Sequence, residues 1–206
     1  MSDFQLFGQV LRDVPLFAPA GVSAPHAAQT LGTWITLIAG FGLMRAGEFR
    51  RHRFNRNRLM LAGAIEDNRT LSLVYWWSIV PVLALAMAEF WWFGKRPGLV
   101  LLAASFVLVT GAVGLRLLAL KALGPWWTLG CVLLPGAPFV NKGPYRFFRH
   151  PEYLSRTLEG AGLCLIIGSL WAGLFWVLWS SALAGLLGST EASQRQRFSI
   201  PVGNEG

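Results

Sequence analysis

Apolar runs of near-membrane length alternate along this chain with short polar or basic stretches. The first run, residues 27–44, is followed by a basic stretch holding Arg45, Arg50, Arg51, His52, Arg53, Arg56 and Arg58. A second run covers residues 70–93, where Pro81 is expected to introduce a kink that neighbouring helices compensate, and Lys95-Arg96-Pro97-Gly98 reads as a tight turn. The third covers residues 99–120, with Gly111 and Gly114 placed to let helices approach closely. Residues 121–150 are too polar and too rich in Gly and Pro to span, yet too apolar for a free linker. A helix starts at Pro151, where a missing N–H costs nothing, and runs to about Ile167. Gly168-Ser169 breaks it, and a last apolar helix covers residues 170–187. This pattern predicts an all-α integral membrane protein with about five transmembrane helices, the last two a helical hairpin. It divides the chain into an interfacial or flexible N-terminal segment (1–26), a membrane domain (27–188) and a short polar tail (189–206). In the first segment Phe4, Leu6, Phe7, Val10 and Leu11 suit a short amphipathic stretch on the membrane surface.

Composition supports the membrane assignment: apolar residues make up 54% of the 206 residues and charged residues only 14%. Ten Trp cluster near the ends of the apolar runs, where an amphipathic ring suits the headgroup layer. The net charge of +8 follows the distribution expected of membrane loops rather than a nucleic-acid surface. Lys and Arg concentrate in the 45–69 and 121–156 connections and the C-terminus, which places those in the cytoplasm and the N-terminus outside. Residues 1–25 lack a basic start followed by an apolar core, so no cleavable signal peptide is expected. Cys131 and Cys164 have no ligand spacing, and His26 and His52 have no acidic or Cys neighbours, so no metal is expected.

One polar stretch stands out among the apolar blocks: Gly143-Pro144-Tyr145-Arg146-Phe147-Phe148-Arg149-His150-Pro151-Glu152-Tyr153. On the helix that follows, steps of four and three put Glu152, Arg156 and Glu159 on one stripe. Glu159 would lie about 12 Å along that helix at 1.5 Å per residue, a depth at which an ionisable group marks a functional site with a nearby partner. Arg156 is the partner the spacing offers; the same pair could instead simply hold two helices together. His150, flanked by Arg146 and Arg149, is favoured neutral and able to accept a proton or hydrogen bond, or it serves as a cap. Arg146 and Arg149 could clamp a carboxylate or phosphate. Glu89, beside Trp91 and Trp92, is expected to snorkel to the interface. Gly160-Ala161-Gly162 lacks the third Gly and the preceding strand of a dinucleotide fingerprint and reads as helix packing.

Taken together, Leu115-Arg116-Leu117-Leu118-Ala119, Ala122-Leu123-Gly124, Trp126-Trp127-Thr128, Val140-Asn141-Lys142-Gly143-Pro144-Tyr145-Arg146, Arg149-His150-Pro151-x-Tyr153 and Glu159 resemble the isoprenylcysteine carboxyl methyltransferase family and the related phospholipid N-methyltransferases. The resemblance implies a small helical membrane enzyme that uses S-adenosyl-L-methionine without a Rossmann domain. It implies a cytoplasmic cofactor loop, with membrane lipids around it and a lipophilic or lipidated acceptor entering from the bilayer. Acceptors consistent with it are a prenylcysteine-like carboxylate, a phospholipid, or a lipophilic phenol or quinone. Carried onto this chain, His150 and Tyr153 would contact the cofactor while Gly143, Pro144, Tyr145 and Arg146 close over it. Glu159, Arg156 and Arg149 would face the chemistry. Where the family has an Arg and two adjacent acids after the last helix, this chain has Gly188-Ser189-Thr190-Glu191-Ala192-Ser193, so Glu191 stands in for the acidic pair. Two competing expectations are an NADPH-dependent reductase of the sterol type, whose last helices carry a similar segment, and a non-catalytic membrane protein retaining the fold.

Overall fold

The computed structural model describes residues 24–93, 97–134 and 140–199. The N-terminal amphipathic stretch, Lys95 and Arg96, Phe139 and the last residues of the tail lie outside them. Helix α1 (Ala24–Leu61) is continuous, so the basic stretch after residue 44 is an extension of the first helix rather than a loop. A short strand β1 (Ile65–Asp67) follows, then α2 (Arg69–Trp77) and α3 (Ile79–Phe93), α4 (Leu99–Leu123), β2 (Cys131–Leu133), α5 (Pro151–Ile167) and α6 (Leu170–Ser199).

The break between α2 and α3 falls at Ser78, three residues before Pro81. Pro81 lacks the N–H that would bond the carbonyl of Trp77, and its ring crowds that carbonyl. Counted as one broken rod, α2 and α3 bring the helical rods to five among the described residues. Three segments are long and apolar enough to cross a membrane: Arg69–Phe93, Leu99–Trp126 and Leu170–Ser193. Their outer faces carry exposed Trp92, Leu99, Val100, Val107, Trp171 and Leu178, which suits contact with acyl chains rather than water.

α5 is the centre of the bundle, packed against α4 on one side and α6 on the other. Its glycines explain the closeness. A Cβ at Gly162 would meet the carbonyl oxygen of Ser105 at 3.3 Å, and one at Gly160 would run into the Trp176 ring and Ile79. Gly111 and Gly114 have open space at their Cβ positions, so the close approach expected of them belongs to Gly160 and Gly162 instead. The main apolar cluster joins Trp34, Ile79, Leu83, Phe90, Leu163, Ile167 and Trp176. Within it Trp34 meets Phe90 edge-on, 4.6 Å between centroids, and Trp176 donates its indole N–H to the carbonyl of Thr157 at 3.0 Å.

The α5–α6 hairpin turns at Gly168, whose φ of 93° suits a residue without a side chain. Glu89 is fixed there: it accepts from Ser169 Oγ and from the backbone N–H of Ala172 at 3.0 Å. Rather than snorkelling outward, this carboxylate caps the start of α6. α6 also outruns its apolar run, continuing as one helix to Ser199 and carrying Glu191 with it.

The described first part of the 121–150 connection is anchored rather than free. β2 pairs antiparallel with β1, Ile65 opposite Leu133, which adds a small two-stranded ribbon to the otherwise helical fold. Asn55 Nδ2 donates to the carbonyl of Trp127 at 2.8 Å, and His52 Nδ1 accepts from the Leu129 N–H at 3.0 Å. Arg56 grips Glu66 of β1 through Nε at 2.9 Å. The polar end of α1 thus holds the 124–133 part of the connection at one end of the bundle.

Candidate functional site

Two polar groups lie in succession along α5. The outer one forms where the connection, the first turn of α5 and the end of α6 meet. Gly143 (φ 58°) opens a 3₁₀ turn, Gly143–Arg146, whose fixed Pro144 leads into Tyr145. The Tyr145 hydroxyl donates to Glu152; burial first, and the Glu152 carboxylate second, push the phenol's pKa well above its usual range. His150 and Tyr153 stack, 5.2 Å between centroids and 21° between planes. His150 Nδ1 lies 3.7 Å from Glu191 Oε2, a contact that requires the extended α6. Leu187, on the preceding turn of α6, is buried against Tyr153 and Tyr75. Gly188 faces His150: a Cβ there would lie in ordinary contact, 3.7 Å from His150 Nε2.

The inner group is buried among α1, α2, α4 and α5. Arg45 pairs with Glu159 and, at 2.6 Å, with Glu48; Glu48 also takes two hydrogen bonds from Arg116, one of them 2.8 Å. Each of these four residues is 7% exposed or less. Arg156, equally buried, donates through Nη2 to the carbonyl of Trp76 next to the α2–α3 break. Its guanidinium lies 5.0 Å from the Tyr75 ring and 5.1 Å from the Trp76 ring.

The sequence-derived residues therefore divide. Tyr145, His150, Tyr153 and Glu191 come together in the outer group, with Gly143 and Pro144 forming the turn that presents Tyr145. Glu159 and Arg156 are both buried in the inner group, but the hydrogen-bonded partner of Glu159 is Arg45 and not Arg156. Arg146 and Arg149 are exposed, with no hydrogen bond or ion pair among the described residues, so Arg149 does not join the inner group. Sequence reasoning assigned Arg45 to membrane topology and missed Glu48, Arg116, Tyr75 and Trp76. The available signal was Arg116: an arginine inside an apolar run requires a buried acid, and Glu48, three residues from Arg45, is that acid. Among the described residues no group of three His, Cys, Asp or Glu side chains could hold a metal ion.

Residues 103–187 match the model of the isoprenylcysteine carboxyl methyltransferase family. That segment covers α5, most of α4 and the apolar part of α6, and it includes Arg116, His150, Tyr153, Arg156 and Glu159. A similar protein is the uncharacterized protein YpbQ of Bacillus subtilis (strain 168), 30% identical over 135 residues that cover 61% of this chain and 74% of the relative. No solved structure matches. With its helical membrane fold and the R-H-P-x-Y turn at the head of α5, the chain belongs to the isoprenylcysteine carboxyl methyltransferase family.

Proposed function

We propose that the protein transfers a methyl group from S-adenosyl-L-methionine to a lipophilic acceptor at the cytoplasmic face of the membrane, with its N-terminus outside. The observation that carries this reading is the convergence of His150, Tyr153 and Glu191 from two helices beside Gly188. A purine-bearing sulfonium needs an aromatic face and a nearby carboxylate, and the stacked His150–Tyr153 pair and Glu191 supply both. When bound, the cofactor would supply an electrophilic methyl on a positively charged sulfur.

In this reading the chain's own residues bind, orient and exclude water. Tyr145, tied to Glu152, holds the Gly143–Arg146 turn against the first turn of α5, so the loop is positioned to cover the site. Exposed Arg146 and Arg149 stand at its edge and suit the carboxylate of the cofactor's amino-acid end. Neighbouring Phe147, 82% exposed, suits the membrane interface. Because charge on the sulfonium falls during transfer, a site walled by apolar helices favours the step, and in-line positioning supplies much of the remainder. The lipidated or lipid-like acceptor would come from the bilayer side.

The test is calorimetry on the detergent-solubilised protein with S-adenosyl-L-homocysteine. Saturable binding is expected; a folded, monodisperse sample that takes up none at millimolar ligand refutes the reading.

A further inference from the structure

The turn before α5 presents two phenyl rings that the other described residues leave exposed. Its backbone is closed: the Tyr145 N–H donates to the carbonyl of Lys142 at 3.3 Å, and the N–H groups of Phe147 and Phe148 both donate to the carbonyl of Pro144, at 3.1 and 3.0 Å. Its inner side is packed. A Cβ at Gly143 would lie 3.6 Å from Ala122 Cβ near the end of α4, and Tyr145 is tied to Glu152 on the first turn of α5. Phe147 and Phe148 follow directly, 82% and 47% exposed, and belong to none of the buried apolar clusters. Two adjacent rings on a closed turn keep apolar area in water unless something outside the chain covers it.

The height of the turn on the bundle says what covers them. The apolar span Leu99–Trp126 ends beside it, since Gly143 meets Ala122, so the turn stands at the headgroup layer rather than in bulk water. Two lysines flank that contact: Lys121 in the last turn of α4 and Lys142 just before the 3₁₀ turn. Both are exposed, and neither has an ion pair or hydrogen bond among the described residues. The carboxylates at this end of α5 and α6, Glu152 and Glu191, are engaged by Tyr145 and His150. The charge this face offers is therefore positive. A lysine stem can lie along apolar surface while its ammonium reaches a phosphate.

We propose that this face binds an anionic phospholipid of the surrounding bilayer: Phe147 and Phe148 enter the boundary between headgroups and acyl chains, and Lys121 and Lys142 hold the phosphate. The inference goes beyond the methyl-transfer reading and does not rest on it. Arg146 and Arg149, which that reading gives to the cofactor's carboxylate, are not needed for it. The two halves act separately. The rings leave water whatever the headgroup, so they set how firmly any phospholipid stays. The lysines gain only from net negative charge, so they distinguish an anionic headgroup from a zwitterionic one. Because the turn is already closed, it loses little freedom when lipid binds. The segment leading into His150 and Tyr153 is then held from outside by the membrane as well as from inside by Tyr145.

The probes are phosphatidylglycerol and phosphatidylcholine with the same acyl chains, counted by native mass spectrometry on the full chain in one detergent. Phosphatidylglycerol is expected to be retained at least fivefold in preference. Lys121→Gln/Lys142→Gln should cut that preference at least threefold, while Arg53→Gln/Arg58→Gln, on the exposed face of α1, leaves it unchanged. A preference that survives the lysine change, or falls equally in the α1 control, overturns the inference, because the selectivity then belongs to the general positive charge of this end. Phe147→Ser/Phe148→Ser should lower retention of both lipids at least threefold and keep their ratio; unchanged retention takes the rings out of the contact and overturns it too. Glycerol phosphate, the soluble headgroup, should displace no lipid at millimolar concentration, and displacement would make this a free-anion site instead. All four side chains are exposed, so both variants should keep the unfolding temperature of the parent chain.

Discussion

Arg45 and Glu159 are 114 residues apart in the chain and form a buried ion pair at the centre of the bundle. The pair joins α1, which lies before the family-matched segment, to α5 within it. Through Glu48 it continues to Arg116 of α4, so three helices share one network. Removing one partner of such a pair leaves an uncompensated charge in a low-dielectric interior, at a typical cost of about 3–5 kcal/mol.

Arg45→Met is therefore expected to lower the unfolding temperature in detergent more than the double variant Arg45→Met/Glu159→Gln does. The double change removes both charges and replaces one with an apolar side chain of similar length. A scanning thermal-unfolding assay on both variants checks this, and an equal or larger loss in the double variant contradicts the pairing.

The pairing also marks where sequence reasoning stops. Helix starts and breaks were legible because they are local: Pro151 at a first turn, Gly168 at a left-handed C-terminus, Pro81 disrupting its own helix. The outer group was legible for the same reason, since Tyr145, His150, Glu152 and Tyr153 lie within one turn-and-helix start. Arg45 was not. It opens a run of arginines that all satisfy a topological role, and only the approach of α1 to α5 distinguishes it from Arg50 or Arg53. Gly111 and Gly114 mislead for a related reason: small residues permit close packing, but which helix face meets a neighbour is decided by the whole bundle.

Gly160 gives a direct contrast. Its Cβ position is filled by the Trp176 ring and, at 2.8 Å, by Ile79 Cδ1, whereas Gly111 faces open space. Overpacking of this kind costs about 1–3 kcal/mol, while Gly→Ala in an unobstructed helix interior gains up to about 1 kcal/mol. Gly160→Ala should lower the unfolding temperature and Gly111→Ala should hold or raise it. The reverse order would mean that α5 and α6 are not in this contact.

Acid should weaken the His52 anchor of the connection before it affects Glu66. Burial, then the nearby Arg56, depress the His52 pKa to about 4, with Glu66 opposing and Arg69 adding to the shift. The unfolded chain binds a proton near pH 6.5 and the folded one does not until about 4, so the stabilisation is complete above 6.5 and falls as pH drops toward 4. Glu66, whose pKa the Arg56 hydrogen bond holds below the ordinary value, loses its contribution only at lower pH. Hydrogen exchange at the Leu129 amide, which donates to His52 Nδ1, should lose protection between pH 6.5 and 4 once intrinsic rates are corrected. Unchanged protection across that window would show that His52 is already charged in the fold.

His150 tests the outer group most directly, because its ring meets two elements. It stacks on Tyr153 of its own helix and faces Glu191 and Gly188 of α6. His150→Ala should weaken S-adenosyl-L-homocysteine binding at least tenfold, and Glu191→Gln should weaken it less, since the amide keeps an acceptor but loses the charge. Neither should shift the unfolding temperature as far as Arg45→Met, because both residues lie at the edge of the bundle rather than in its buried network. Gly188→Leu adds an independent check: it occupies the space beside the imidazole without removing any donor or acceptor, and should reduce binding as severely as His150→Ala. If Gly188→Leu binds normally, the ligand does not lie between α6 and the His150 ring, and the site must be moved to the other face of the Tyr153 stack.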